Sequence, residues 1–464
     1  MRRVLCAVLF GGFVFASCGV SPTDSSASEG AETQDAADDA AAQTSSAPAD
    51  EVSSPPVSSI APPTTFATTT TAIATTTTVL SFEEVLIPAP GDTDRAALPN
   101  AANGLAEALE VLAPGGTILL GPGTHPPLEI VGYVGDGANP LVIAGTDGAV
   151  VRGGGLSSGA AIRVTDSSHV VVSQLQAENA LWGIMIESSE DIAVTTNVVT
   201  SVGQEAIRVK DGAQRVRIEG NTISETGLRT DISEPNGEGI YIGTGSPRGS
   251  DLVRDIEILN NEVFATRDEA IDIKLGVTNV LIADNFVHEI ATATSGAIVV
   301  HLNAEAEAVD PAIFLERNII RNVTRTSPYR DGNCIVAATT VTIVNNVMHG
   351  CQHRGIYLRG EGAVATILHN TLLDAGSEGP IVNEFASSLV LSQNNLGASG
   401  EANHAPISPD DLVDAAAGDY RPSSATQVPT TTPVIGVVED LRGVQRPSGS
   451  VTFGAVEYAQ SAAQ

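Results

Sequence analysis

From about residue 160 to residue 394 the apolar positions alternate with period two, and Val and Ile fill most of them. Such alternation is the pattern of strands, and helical i, i+3, i+4 spacing is absent from this stretch. The strands recur. Two aliphatic residues flanking one variable residue return as Ile184-Met-Ile186, Ile207-Arg-Val209, Ile240-Tyr-Ile242, Ile271-Asp-Ile273, Ile298-Val-Val300, Ile356-Tyr-Leu358 and a unit opening at Ile381. A second aliphatic run in each unit ends on asparagine: Asn197, Asn221, Asn261, Asn285, Asn318, Asn346, Asn370 and Asn394, spaced 24, 40, 24, 33, 28, 24 and 24 residues apart. A period of 20–50 residues marks a solenoid or a propeller. A 24-residue unit is too short for a four-stranded blade, and no Trp-Asp pair closes it; leucine is not the fixed residue, as it would be in a leucine-rich repeat. The remaining architecture is a parallel β-helix whose coils stack about 4.8 Å apart.

Residues 101–113 break the pattern. Leu105, Leu109 and Leu112 stand at helical spacing and stop at Gly115-Gly116. A short helix there would cap the open end of the solenoid, because terminal repeats need a cover. Residues 404–464 lose the repeat and are expected to form a C-terminal cap, leaving 83–403 for the solenoid.

The repeat gives each residue an address. The aliphatic pair points inward, so the residue between them and the residue after them point outward on one sheet. The asparagine column is expected to be scaffold, each amide bonding its neighbours above and below, since buried polar groups persist only when paired. The column after the pair holds Lys210, Lys274, His301 and Arg359, and Lys210 and Lys274 are the whole lysine content of the chain. The column within the pair holds Arg208, Tyr241, Asp272 and Tyr357. Glu205, Glu238 and Glu269 stand two residues ahead of successive pairs. Carboxylates stacked roughly 5 Å apart repel unless a cation or a basic neighbour relieves them. Both Ca²⁺, which suits hard oxygen ligands, and Lys/Arg pairing meet that need. The longer spacings place extra residues at 227–235, 243–251, 304–311 and 325–333, around the same coils, where insertions wall a groove.

Composition narrows the class of partner. The formal charge is −32, from 23 basic and 55 acidic residues, which argues against nucleic acid. Arg2-Arg3 followed by an apolar run from Val4 to Ala16 reads as a targeting segment. Residues 19–82 are rich in Ser, Thr, Pro and Ala and read as a disordered tether. Phe15-Ala-Ser-Cys18 resembles a bacterial lipobox. That resemblance makes 1–18 a lipoprotein signal peptide and Cys18 the lipidated residue, with the membrane met only through that anchor; a plain secretory signal is the other reading. Either places the domain outside the cytoplasm. In an oxidising compartment Cys334 and Cys351 can pair, or stay two buried thiols. A monomer is expected.

Ile256-Glu-Ile-Leu-Asn-Asn261 and Ile282-Ala-Asp-Asn285 resemble units of right-handed parallel β-helix proteins with the pectate-lyase-like architecture. The segment from Leu105 through Pro114-Gly-Gly-Thr-Ile-Leu-Leu-Gly-Pro-Gly-Thr-His125 is similar to the start of extracellular polysaccharide-lyase-like members. The resemblance covers roughly residues 105–400. The expected fold is therefore all-β: a single-stranded right-handed parallel β-helix with a short N-terminal capping helix and a C-terminal cap. Fold alone does not fix activity.

A local resemblance is closer. Glu269-Ala-Ile-Asp-Ile-Lys274, preceded by Asn236-Gly-Glu-Gly-Ile-Tyr-Ile-Gly243, resembles the alginate lyase and chondroitinase B type of polysaccharide lyase. It implies Lys274 as general base, Glu269 as a Ca²⁺ ligand and Asn236 as a second ligand. The chain departs from that pattern at Arg267, where the resemblance calls for another Glu, and at His301, where it calls for Arg. Glu238 is then the candidate third ligand and His301 the candidate acid. Lys210 and Arg208 complete the set of candidate catalytic groups. Tyr241, Asp272, Arg359 and Tyr357 are candidate contacts to a polysaccharide or cell-surface glycan. Eliminative cleavage of a uronate polymer needs a charge to neutralise the sugar carboxylate, a base for the adjacent proton and an acid for the leaving oxygen. A glycoside hydrolase using Asp268 or Glu269 with Asp272, and a non-catalytic glycan-binding module, are the alternatives.

Overall fold

The structure is a computed structural model, and it describes residues 82–92, 101–232, 236–245, 251–292, 295–301, 312–325, 331–397, 404–423, 430–431, 434 and 437–457. The expected targeting segment, the tether up to residue 81 and Cys18 lie outside the described residues, as do the whole of 304–311 and parts of the other three inserted stretches.

Val and Ile on alternate positions favour extended chain, and burial of those positions sets the register. Each turn of chain passes through three parallel sheets, of 10, 12 and 12 strands. In the ten-stranded sheet, Ile184, Ile207, Ile240, Ile271, Ile298, Ile335, Ile356 and Ile381 stack one on the next, as their shared address predicts. The inward residues form one continuous core that runs from Val85 to Leu372. Each fully buried Ile or Val contributes about 1.5–3 kcal/mol through burial.

The asparagine column is a hydrogen-bonded ladder. Asn221 Oδ1 accepts from the backbone N–H and the side-chain Nδ2 of Asn197, at 2.9 and 3.1 Å. The same double bond recurs through Asn261, Asn285, Asn318, Asn346 and Asn370. Each Nδ2 also donates to a strand carbonyl of the preceding coil, as Asn318 does to Ile282 at 2.8 Å. At the last rung the structure corrects the sequence reading. Asn395, not Asn394, accepts from Asn370. The residue ahead of each rung turns the corner with positive φ, as at Asn260 (54°), Asn345 (58°) and Asn394 (58°). Asn tolerates that left-handed conformation better than most residues, so Asn-Asn pairs arise and spacing alone does not tell rung from corner.

Both ends are covered. The helix Leu105–Val111 lies where expected. The strand Phe82–Ile87 comes before it and pairs with Leu112–Leu120, adding a first rung to one sheet at the start of the 83–403 solenoid. The solenoid's last strand is His404–Ala405. Two short antiparallel pairs follow, and the tail packs Leu412, Ala415, Tyr420, Ala455 and Val456 against Val347 and Leu373. Arg446 fastens it. Its guanidinium meets Glu457 at 2.8 Å and donates to Asn345 Oδ1 at 2.9 Å. Cys334 and Cys351 form a disulfide inside the core, with Cα atoms 5.5 Å apart.

Candidate active site

Because Ile207, Ile240 and Ile271 are in register, Glu205, Glu238 and Glu269 occupy one column at the corner where the chain enters the ten-stranded sheet. All three are buried. Glu238, Glu269 and Asp272 each offer a carboxylate oxygen, and these oxygens lie within 4.8 Å of one another. Glu238 Oε2 and both oxygens of Glu205 are buried without a hydrogen-bond donor. Glu269 Oε1 accepts from the backbone N–H and the hydroxyl of Ser295, at 3.2 and 3.3 Å. Buried carboxylates left this way are costly unless a cation or proton joins them. A hard divalent cation such as Ca²⁺ fits three carboxylates from adjacent coils.

Asp272 is also the meeting point of the two candidate proton-transfer groups. Lys274 Nζ lies 2.7 Å from Asp272 Oδ2, and His301 Nε2 lies 3.1 Å from Oδ1. Lys274 and His301 reach the surface, with side chains 16% and 27% exposed, while Asp272 is 1% exposed. Burial works against ionising Asp272, but Lys274 and then His301 outweigh it and hold the carboxyl below its ordinary range. Burial likewise disfavours the Lys274 ammonium, yet the surrounding carboxylates, Asp272 foremost, keep it well above an ordinary lysine. Glu238 moves the other way. Burial raises it well above the usual carboxylate range, and the Glu205 charge adds to that.

The other candidates divide. Arg208 lies between the rings of Trp182 and Tyr241, at 5.3 and 5.2 Å, and 3.9 Å from Glu205. Tyr241, expected to face a sugar, is 2% exposed, because Arg208 and Lys274 lie over its ring and its hydroxyl accepts from Gly245 N–H. Asp272 was likewise expected at the outer surface and is instead buried in the carboxylate cluster. Lys210 shares the Lys274 column but pairs with Glu187 at 3.5 Å and Asp211 at 3.4 Å. Asn236 is half-buried, two residues ahead of Glu238. Tyr357 is three coils beyond Asp272, roughly 14 Å away by strand spacing. Its hydroxyl bonds Glu384 at 2.6 Å, and burial with that bond raises it to about 12. Arg359 is equally distant from Lys274 along its own column. The site residue absent from the sequence reading is Ser295, whose corner position carries no strand pattern. Two open clefts lie elsewhere, one between the tail and the coils of Asp284 and Arg317, the other on the outer face of a twelve-stranded sheet near Arg217 and Phe314.

The sequence matches the family described as right handed beta helix region over residues 134–252 and 160–335. No curated protein matches it. Among solved structures, the pectate lyase Pel9A superposes with a TM-score of 0.51 at 13% identity, over 82% of this chain and 98% of its own. A rhamnogalacturonan lyase does so with a TM-score of 0.51 at 12% identity, over 71% and 90%. An alginate lyase from Paenibacillus sp. str. FPU-7 gives 0.47 at 18% identity, over 60% and 92%. Three stacked parallel sheets, a shared register, the family match and the two superpositions at 0.51 agree: the chain folds as a right-handed parallel β-helix.

Proposed function

We propose that this is an extracytoplasmic carbohydrate-active protein that cleaves a uronate-containing polysaccharide by β-elimination. The observation that carries the reading is the convergence of Lys274, His301 and the Glu238–Glu269–Asp272 carboxylates on one solvent-reaching corner. Lys274 is the base for the proton beside the sugar carboxylate, and His301 is the acid for the leaving oxygen. Asp272 orients both through its two oxygens. A Ca²⁺ held by Glu238, Glu269 and Asp272 would neutralise the sugar carboxylate and offset the negative charge that keeps Lys274 protonated. A hydrolase is less well supported, since these carboxylates share one wall instead of facing each other across a bond.

A second reading has its own support. Lys274 is strongly held as an ammonium, which serves binding of an acidic glycan without chemistry. Incubating the purified protein with alginate, pectate and glycosaminoglycans, with and without Ca²⁺, separates the two. Unsaturated product, read by ultraviolet absorbance, is the expected result. Binding without turnover would select the glycan-binding reading, and reducing ends without unsaturation would select hydrolysis.

A further inference from the structure

Glu269 does not stand alone at its corner. Ser295, one coil on, holds Glu269 Oε1 with both its N–H and its hydroxyl. Asn333, a further coil on, donates from Nδ2 to the Ser295 carbonyl at 2.8 Å. Asn333 is fully buried, pairs in register with Gly296 beside Ser295, and is followed directly by the disulfide-bonded Cys334. The three residues thus form one line up the stack, Glu269 to Ser295 to Asn333, ending on a covalent cross-link.

This arrangement has a direction. Ser295 takes one Glu269 oxygen, and the carboxylate still brings an oxygen within 4.8 Å of Glu238 and Asp272. A glutamate has three side-chain torsions, and fixing them in advance removes an ordering cost from ligand binding. The Asn333 bond in turn holds the Ser295 carbonyl, fixing the backbone on the far side of the same Cα that carries the donating N–H and hydroxyl. Outer partners of this kind orient metal ligands and change metal affinity when lost.

We infer that Ser295 and Asn333 are positioning residues for Glu269, preorganising its carboxylate for a divalent cation. The inference rests on the cation-site reading above. Calorimetric titration of the purified protein with CaCl₂ tests it, beside thermal unfolding of the same samples without Ca²⁺. Ser295→Ala is expected to weaken Ca²⁺ binding about tenfold, the lower end of outer-partner effects, with Ser295→Thr close to the parent. Asn333→Ser is expected to weaken binding in the same direction. Glu269→Gln is the reference that removes a ligand charge. If the parent and Ser295→Ala bind Ca²⁺ equally while Glu269→Gln does not bind, the positioning role is wrong and the cation site stands. If Ser295→Ala only lowers the unfolding temperature, its role is structural and the inference fails. If the parent itself binds no Ca²⁺, the cation-site reading and the inference fail together.

Discussion

Lys274 and Lys210 are the same residue type in the same column, two coils apart, yet their surroundings separate them. Lys274 faces Asp272 beside buried carboxylates, whereas Lys210 is spent on Glu187 and Asp211. Lys274→Ala is therefore expected to lower eliminative turnover at least about 10²-fold, the usual worth of a general base. Lys210→Ala is expected to leave turnover within a few-fold. Initial rates at saturating substrate decide both, and equal losses would dissolve the distinction. The sequence made Lys274 and Glu269 legible because both depart from what the repeat requires. It did not show that Asp272 joins the carboxylates. Period two sends that residue outward, but not whether its outer face stays open, and Arg208 and Lys274 cover Tyr241 beside it.

At the scale of the coil, rung and corner asparagines carry different burdens. Asn261→Ala strands the two Asn221 donors, which bond its Oδ1 at 3.0 and 2.9 Å. Two buried unsatisfied donors cost roughly 2–5 kcal/mol. Asn260→Gly keeps the corner's positive φ and is expected to change stability by less than about 1 kcal/mol. Urea midpoints of the two variants check the contrast. The solenoid corner beneath the tail carries a pH dependence. Burial, then the Arg446 charge, lowers His369 to about 3 from 6.5, so the folded state keeps it neutral while the unfolded chain takes up a proton. Its contribution is present above about pH 6.5 and is lost towards pH 3, at up to about 1.4 kcal/mol per pH unit. Stability measured against pH should fall less steeply below pH 6.5 in His369→Gln. Coil number and register were readable from the Ile and Asn spacings. The tail's docking on Val347 and Leu373 was not, because contacts that distant in sequence leave no local period.

For the whole molecule, a formal charge of −32 sets a repulsive background that salt screens. The thermal midpoint is expected to rise between about 10 mM and 300 mM NaCl, where the Debye length falls from about 30 Å to well under 10 Å. A flat response would show that local pairs such as Arg215 with Asp191 and Glu190 already balance the surface.

The asparagine ladder has a polarity with a consequence for how the chain is made. Every rung donates from the earlier coil and accepts on the later one, from Asn197 to Asn395. A coil that folds ahead of its successor therefore presents these rung donors toward chain not yet in place. Each new coil brings the acceptor that closes the last, so assembly can proceed as a template copied forward in the order of synthesis. The same one-way grammar means that an excised or duplicated stretch from one asparagine rung to the next leaves a donor facing an acceptor, making the coil the natural unit of change.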